Sequence, residues 1–167
     1  MDVSIKKAAP SDAAMLLEYL KQVGGETDNL TFGSEGMSFS IEAEAEFISS
    51  MENSIDNIML LAKCDEKIVG CASLNRLPRR MNHRGDFAIC VAKDYWNKGI
   101  GSQLMDKIIS FARENDFKII DLQVRSDNKN AIYLYEKCGF KKIGEHPAFF
   151  KMDDENISFD IMCLILL

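Results

Sequence analysis

The sequence predicts a mixed α/β fold: one central sheet of about seven strands with about four helices. Three observations predict it. Short alternating or apolar runs of strand length recur from Val3 to Leu167. Between them lie segments whose apolar residues repeat at helical spacing. The two kinds are ordered so that a hairpin-rich half precedes a βαβα half. The 167 residues fit one domain, 1–167, and 47% hydrophobic with 28% charged residues is ordinary for a soluble globular protein.

The elements follow in order. Val3 to Ala8 alternates and reads as a strand. Pro10-Ser11-Asp12 opens a helix to about Val23, with Met15, Leu16, Tyr19 and Leu20 on its apolar face and Gly24-Gly25 ending it. Glu26 to Ser38 reads as a loop, and Ile41 to about Glu52 as a second helix. NIMLLAKC and KIVGCASLN flank Asp65-Glu66 as a β-hairpin. Asp86 to Ala92 is a further strand. A helix from about Gly99 to Asn115 carries Ile100, Leu104, Ile108 and Phe111 in one stripe. Lys118 to Val124 is a strand, NKNAIYLYEKCG a short helix closed by Gly139, and FKKIGEH and ISFDIMCLILL the closing strands.

Bulk properties exclude several function classes. A formal charge of −6 argues against a general nucleic-acid binder, which has to neutralise phosphates. Only RLPRRMNHR, Arg76 to Arg84, is locally basic; it reads as a solvated loop or as a basic rim near an anionic ligand. Five cysteines without a C-x-x-C pair read as free thiols of a reducing cytosol. Two histidines without metal-ligand spacing predict no metal site. The start has no apolar signal-like run, and IMCLILL is too short to span a bilayer, so the expected location is cytoplasmic, with no membrane partner.

The stretch DYWNKGIGSQLM, Asp94 to Met105, carries the chemistry. Glycines at 99 and 101 are poor helix formers placed at a helix start. A dinucleotide-binding fingerprint is ruled out because the third glycine is missing, and no nucleoside-triphosphate P-loop is present. What remains is a loop whose successive amides, Asn97, Lys98, Gly99, Ile100, Gly101 and Ser102, can converge on an anion such as a pyrophosphate. The glycines would remove Cβ atoms from its approach, and Lys98 would add a cation.

A second stretch, NKNAIYLYEKCGF, lies one strand-helix unit downstream. The pair, V-x-x-x-Y-W-N-K-G-I-G-S-x-L and N-x-x-A-I-x-L-Y-E-K-x-G-F, resembles the GNAT superfamily of acetyl-CoA-dependent N-acetyltransferases, and the element order is similar from Val3 to Leu167. The chain departs from the family at Trp96, where Gln or Arg is usual; this removes a side-chain phosphate contact but no backbone one.

The resemblance implies a GNAT fold whose sheet splays between the fourth and fifth strands, at a bulge in the strand Asp86 to Ala92. It implies that backbone groups of Ile89, Cys90 and Val91 pair with the pantetheine arm of acetyl-CoA, and that one N–H stands beside the thioester oxygen. It further implies that Asn128 lies near coenzyme A and that Tyr135 faces the departing sulfur. On the residues alone, Asn128 also reads as a helix N-cap, and Tyr135 as packing on its own helix stripe.

The acceptor amine must attack as the free base. At pH 7 that costs about 4.6 kcal/mol for a lysine-like amine and about 1.4 for an α-amine. Asp86, Glu26 or a water relay are the candidates for this proton, with His83 behind them. Cys90 reads as a small core residue rather than an acylated nucleophile. The expected reaction is direct transfer from acetyl-CoA to a primary amine of a small molecule or amino acid. A protein or peptide N-acetyltransferase, or a non-catalytic CoA-binding module, would use the same fold, and a homodimer through the C-terminal strands is common among similar proteins.

Overall fold

Alternation in the first hairpin defines two faces of one sheet. The computed structural model describes residues 2–167. In β2 (Asn57–Cys64), Ile58, Leu60 and Ala62 belong to one buried cluster while Leu61 and Met59 belong to another. A strand buried on both faces needs a helical layer on each side. The helices α1 (Ala13–Glu26) and α2 (Ile41–Met51) cover one face; α3 (Ile100–Glu114) and α4 (Lys129–Lys137) cover the other. No helix among the described residues is long and apolar enough to cross a membrane.

The remaining strands are β1 (Val3–Lys7), β3 (Lys67–Arg76), β4 (Arg84–Val91), β5 (Ile119–Arg125), β6 (Lys141–Met152) and β7 (Glu155–Ile165), in the spatial order β1-β2-β3-β4-β5-β7-β6. Only β4 and β5 run parallel. The central core is α3 on the sheet, with Leu104, Met105 and Ile108 wholly enclosed. Burying each such side chain contributes about 2 kcal/mol.

The fourth and fifth strands part company early, as expected. Three residue pairs join them, Arg84–Ile119, Gly85–Ile120 and Asp86–Asp121, and there the pairing stops. The expected bulge in β4 is absent. Its ladder with β3 keeps one register from Arg76–Gly85 to Gly70–Val91. The strands diverge because β5 turns away, not because β4 kinks.

Other boundaries differ from the sequence reading. A short 3-10 turn, Pro10–Asp12, precedes α1, and the helix runs on through both glycines to Glu26. Glu26 is therefore the last residue of a helix, not part of a loop. Gly24 does not end the helix. It lets the following loop approach: a Cβ there would come within 2.0 Å of the Gly33 carbonyl oxygen. β6 is longer than predicted, because it continues through Pro147 across register shifts.

The basic segment lies away from the start of α3. Arg76 donates to the carbonyls of Asn82 and Asn115, pairs with Asp56 and sits 3.8 Å above the Phe117 ring. Asn115 caps the C-terminus of α3, so Arg76 is tied to the end of the helix opposite Gly99 and Gly101. Of the two readings of this segment, the solvated loop fits the exposed Arg79 and Arg80, and a basic rim beside the start of α3 does not.

Neighbouring glycines test this packing. Gly24→Ala should destabilise the protein by about 1–3 kcal/mol through overpacking against Gly33. Gly25→Ala, whose Cβ would meet only Ser34 at 3.5 Å, should be neutral or stabilising in urea denaturation.

Candidate active site

The parting of β4 and β5 leaves main-chain groups open. Leu77 N–H donates to Arg84 O and Ala92 N–H to Val69 O, both at 2.9 Å. In constant antiparallel register, these two bonds assign residues 84, 86, 88, 90 and 92 to exchange with β3. Phe87, Ile89 and Val91 then turn their N–H and C=O towards the gap. Of the three residues predicted to form the open edge, Ile89 and Val91 do so. Cys90 turns its main chain the other way, and its carbonyl also accepts from the Tyr19 hydroxyl at 3.0 Å. Its thiol packs beneath α1, where burial pushes it up to about 11.

Trp96 closes one end of the gap. Its indole N–H donates to the Val91 carbonyl at 2.7 Å. The departure noted at this position thus has a structural use: the side chain ties the loop after β4 to the open edge.

Beyond Trp96 the backbone turns twice through left-handed conformations, at Asn97 (φ 59°) and Gly99 (φ 80°). Gly99 is the N-cap of α3 and provides no side-chain cap. The amides from Asn97 to Ser102 find no acceptor among the described residues. They are unpaired donors at the positive end of a 15-residue helix. The two glycines act differently. A Cβ on Gly99 would meet nothing closer than Gln103 Nε2 at 4.0 Å, so glycine serves its positive φ. A Cβ on Gly101 would press Leu134 of α4 at 3.1 Å, so this glycine lets the two helices approach. Lys98 is exposed, with its ammonium 5.2 Å from the Tyr95 ring centre.

Tyr135 stands across the gap from β4. Its ring meets Phe87 edge-on at 6.3 Å and Phe140 at 5.9 Å, and the residue is 7% exposed. Burial, and secondarily the nearby Cys90, hold its phenol well above the ordinary value. No side-chain atom among the described residues is both sealed and unpartnered. The Tyr135 hydroxyl has no protein partner, so it retains an opening. Asn128 N-caps α4 by accepting from Ala131 N–H at 3.3 Å. It also lines a polar cavity of about 440 Å³ between the loop after α1 and the end of β5, together with Asp28, Asn29, Arg125 and Asp127.

The two predicted carboxylates lie apart. Asp86 sits at the apex of the gap, opposite Asp121. It keeps surface exposure, yet partial burial, and then the charge of Asp121, raise its carboxyl above the usual range. Glu26 accepts from Lys93 N–H and from Gln22 Nε2, each at 2.8 Å. Both of its oxygens are engaged in latching α1 to the turn after β4. His83 belongs to the turn before β4, and its carbonyl accepts from Lys118 and Ile119 at the start of β5.

A family profile described as "Acetyltransferase (GNAT) family" matches residues 26–140. That span contains the open strand edge, the α3 donors and Tyr135. The chain belongs to this family. The GNAT-family acetyltransferase of Streptococcus pneumoniae is similar over its whole length: TM-score 0.94, 30% identity, and 99% of each chain covered. The L-amino acid N-acetyltransferase AaaT of Escherichia coli (strain K12) is 37% identical over 102 residues, 59% of this chain and 62% of that protein. The N-alpha-acetyltransferase RimI of Mycobacterium tuberculosis is 30% identical over 92 residues, 54% of this chain and 56% of that protein. The match thus spans less than two thirds of either curated relative.

Sequence reasoning about this GNAT chain missed two contacts, Tyr19 to Cys90 and Trp96 to Val91. Tyr19 was legible only as part of an apolar helix face, and Trp96 only as an unusual residue. The burial of Tyr135 is directly measurable. In an alkaline ultraviolet titration, Tyr135→Phe should remove one late-ionising phenol from the wild-type curve. Because folding raises this pKa, the neutral phenol favours the folded state. That contribution is complete below about pH 10 and is lost as pH rises through the folded value.

Proposed function

We propose that this GNAT protein transfers an acetyl group from acetyl-CoA to a primary amine of a small molecule or amino acid, by direct attack in a ternary complex. The observation that carries the reading is the gap between β4 and β5. The unpaired main chain of Ile89 and the N–H of Val91 lie along one side, Tyr135 on the other, and the unpaired amides of 97–102 near its mouth.

The residues fit the coenzyme. The amides of Asn97 to Ser102 would hold its pyrophosphate, and the main chain of Ile89 with the N–H of Val91 would pair with its amide-bearing arm as an added strand would. Acetyl-CoA supplies an activated acyl carbon and a thiolate leaving group. Tyr135 would hold a proton on its hydroxyl for that sulfur. An ordinary phenol exceeds a thiol by about 1.5 pKa units, or about 2 kcal/mol, and burial widens the difference. Transfer is therefore late, and the hydroxyl acts first as a hydrogen-bond donor. Cys90, with its thiol held neutral, is not the acyl carrier.

Asp86 and Glu26 differ in what they offer the acceptor. Each Glu26 oxygen already accepts one hydrogen bond. Asp86 has a free oxygen, but it lies three residues along β4 from Ile89, about 10 Å. It would contact the acceptor away from its reacting nitrogen, or act through a water relay. The RimI relative keeps an N-terminal peptide amine as the second acceptor class. A homodimer is a further proposal: β6 is an edge strand with Ile143 exposed, and sedimentation would test it.

Thiol release from acetyl-CoA across amines, amino acids and peptides tests the activity. Activity on peptides alone would replace the small-molecule reading. Tyr135→Phe should lower kcat by about 100-fold or more with CoA affinity retained; equal turnover would remove the leaving-group role. Glu26→Gln should keep both limbs of the pH–rate profile and lose thermal stability, because its bonds are structural.

A further inference from the structure

Val91 is held from two sides by aromatic side chains that come from different parts of the chain. Of the carbonyls of β4, those of Cys90 and Val91 alone accept a side-chain donor among the described residues. The Val91 carbonyl takes the Trp96 indole at 2.7 Å, and the Cys90 carbonyl takes the Tyr19 hydroxyl at 3.0 Å. Trp96 follows β4 directly, whereas Tyr19 lies 71 residues before Cys90, on α1.

These two carbonyls belong to the two peptide units that meet at the Val91 Cα. In the unit from Val91 to Ala92, Trp96 holds the carbonyl and the Val69 carbonyl holds the Ala92 N–H at 2.9 Å. In the unit from Cys90 to Val91, the carbonyl faces Cys71 of β3, its partner in the ladder. Tyr19 adds a second donor to that carbonyl from the α1 side. The Val91 N–H is the one group of the two units left open. It shares a planar, conjugated peptide with the Cys90 carbonyl and points the opposite way, into the gap. A hydrogen bond to a carbonyl draws charge from its own amide, so the N–H across the same peptide becomes the stronger donor.

Packing fixes the hydroxyl where it can do this. Tyr19 is 3% exposed, in a cluster with Leu16, Ile48, Leu61 and Ala92. Burial, and then the neighbouring Cys90, raise its phenol well above the ordinary value, so the hydroxyl keeps its proton. A buried tyrosine needs some partner for its hydroxyl, and any free acceptor would meet that need. Here the hydroxyl bonds a carbonyl that already has a ladder partner, and that carbonyl belongs to the peptide of the open donor. Trp96 acts on the following peptide, whose N–H is already paired, and cannot do the same.

We propose that Tyr19 is a positioning residue for acetyl transfer: through the Cys90 carbonyl it orients and strengthens the Val91 N–H as a donor to a carbonyl oxygen of acetyl-CoA. This rests on the acetyl-transfer reading above. The coenzyme offers two kinds of such oxygen, the thioester carbonyl and the amide carbonyls of its arm. At the thioester the oxygen gains negative charge as the amine adds, and a stronger donor there lowers the barrier. At an arm amide the same donor holds the bound coenzyme. Tyr19 touches neither oxygen and exchanges no proton in the reaction. Removing an oxyanion donor outright costs about 100- to 1,000-fold. A bond that strengthens such a donor by about 10–30% therefore contributes about two- to eight-fold.

Tyr19→Phe removes the hydroxyl and keeps the ring. In isotope-labelled protein without coenzyme, the Cys90 carbonyl carbon and the Val91 amide nitrogen should both move upfield in the nuclear magnetic resonance spectrum. The Ala88 carbon and Ile89 nitrogen, one ladder pair back, should stay in place. With the best amine from the thiol-release panel, a fall of about two- to eight-fold in kcat with calorimetric affinity for coenzyme A retained assigns the donor to the thioester. The same fall in that affinity assigns it to the arm. Ile48→Val loosens the same cluster without touching the hydroxyl; it should lower the melting temperature and leave kcat and affinity unchanged. Placing 3-fluorotyrosine at position 19 keeps the shape and makes the hydroxyl a stronger donor, so both resonances should move downfield. Unmoved Cys90 and Val91 resonances in Tyr19→Phe overturn the proposal, as do wild-type kcat and affinity together. Equal kinetic losses in Tyr19→Phe and Ile48→Val also overturn it, because packing alone would then explain them. Where Tyr19→Phe does not fold, the fluorotyrosine protein decides: resonances that do not move downfield reject the coupling. A wild-type protein that releases no thiol with any amine would instead sink the acetyl-transfer reading itself, on which the resonance shifts do not depend.

Discussion

The structure depends on a strand satisfied on one side only. β4 keeps unbroken register with β3, while β5 leaves it after three pairs. An unpaired main-chain donor or acceptor costs about 1–3 kcal/mol when buried without a partner. Such an edge persists inside a sheet only where the surroundings hold it open. Phe87 and Tyr135, edge to face, keep α4 across the opening, and Trp96 binds the last open carbonyl of the strand. Tyr19 fixes the opposite side of the same strand by holding the Cys90 carbonyl. Four aromatic residues, one on β4 itself and three from other segments, thus hold one strand edge open.

The same arrangement resolves a conflict of charge. An acidic chain of net −6 should repel a polyanionic coenzyme at long range. The oriented amides at the start of α3 would supply a short-ranged attraction that net charge does not alter. The one basic stretch contributes nothing there. Arg76 is consumed by carbonyls at the far end of α3, and Arg84 by Asp121. Asp121 is spent in turn on Arg84, which leaves Asp86 as the carboxylate beside the parting of β4 and β5 that has no cationic partner.

How much was legible in the sequence follows from the range of each interaction. The glycine turn and the Asn128 cap are local, and both could be placed from adjacent residues. Strand order and the early parting were legible only through resemblance, because nothing in β4 itself marks where β5 leaves it. The bulge expected there does not exist. Glu26 was misplaced because two glycines usually end a helix. Here tertiary contact overrides that propensity: the loop at Gly33 packs against Gly24 and the helix continues. The contact of Gly101 with α4 was missed for a similar reason, since its neighbour Leu134 is distant in sequence.

Glu44 is the sharpest case of that limit. In IEAEAEFISSM, three glutamates alternate with small residues, and a helix so written reads as a solvated face. Only the tilt of α2 against the sheet selects the middle one for burial. That selection has an energetic consequence for the carboxyl itself. A carboxyl with the ordinary value of about 4.3 lies some six units below a lysine-like ammonium, or about 8 kcal/mol. Each unit by which burial raises the carboxyl removes about 1.4 kcal/mol from that difference. Two exposed carboxylates at 42 and 46 cannot do this, since water already solvates them. Burial raises the carboxyl of the middle glutamate, and no side-chain partner offsets that by stabilising its charge.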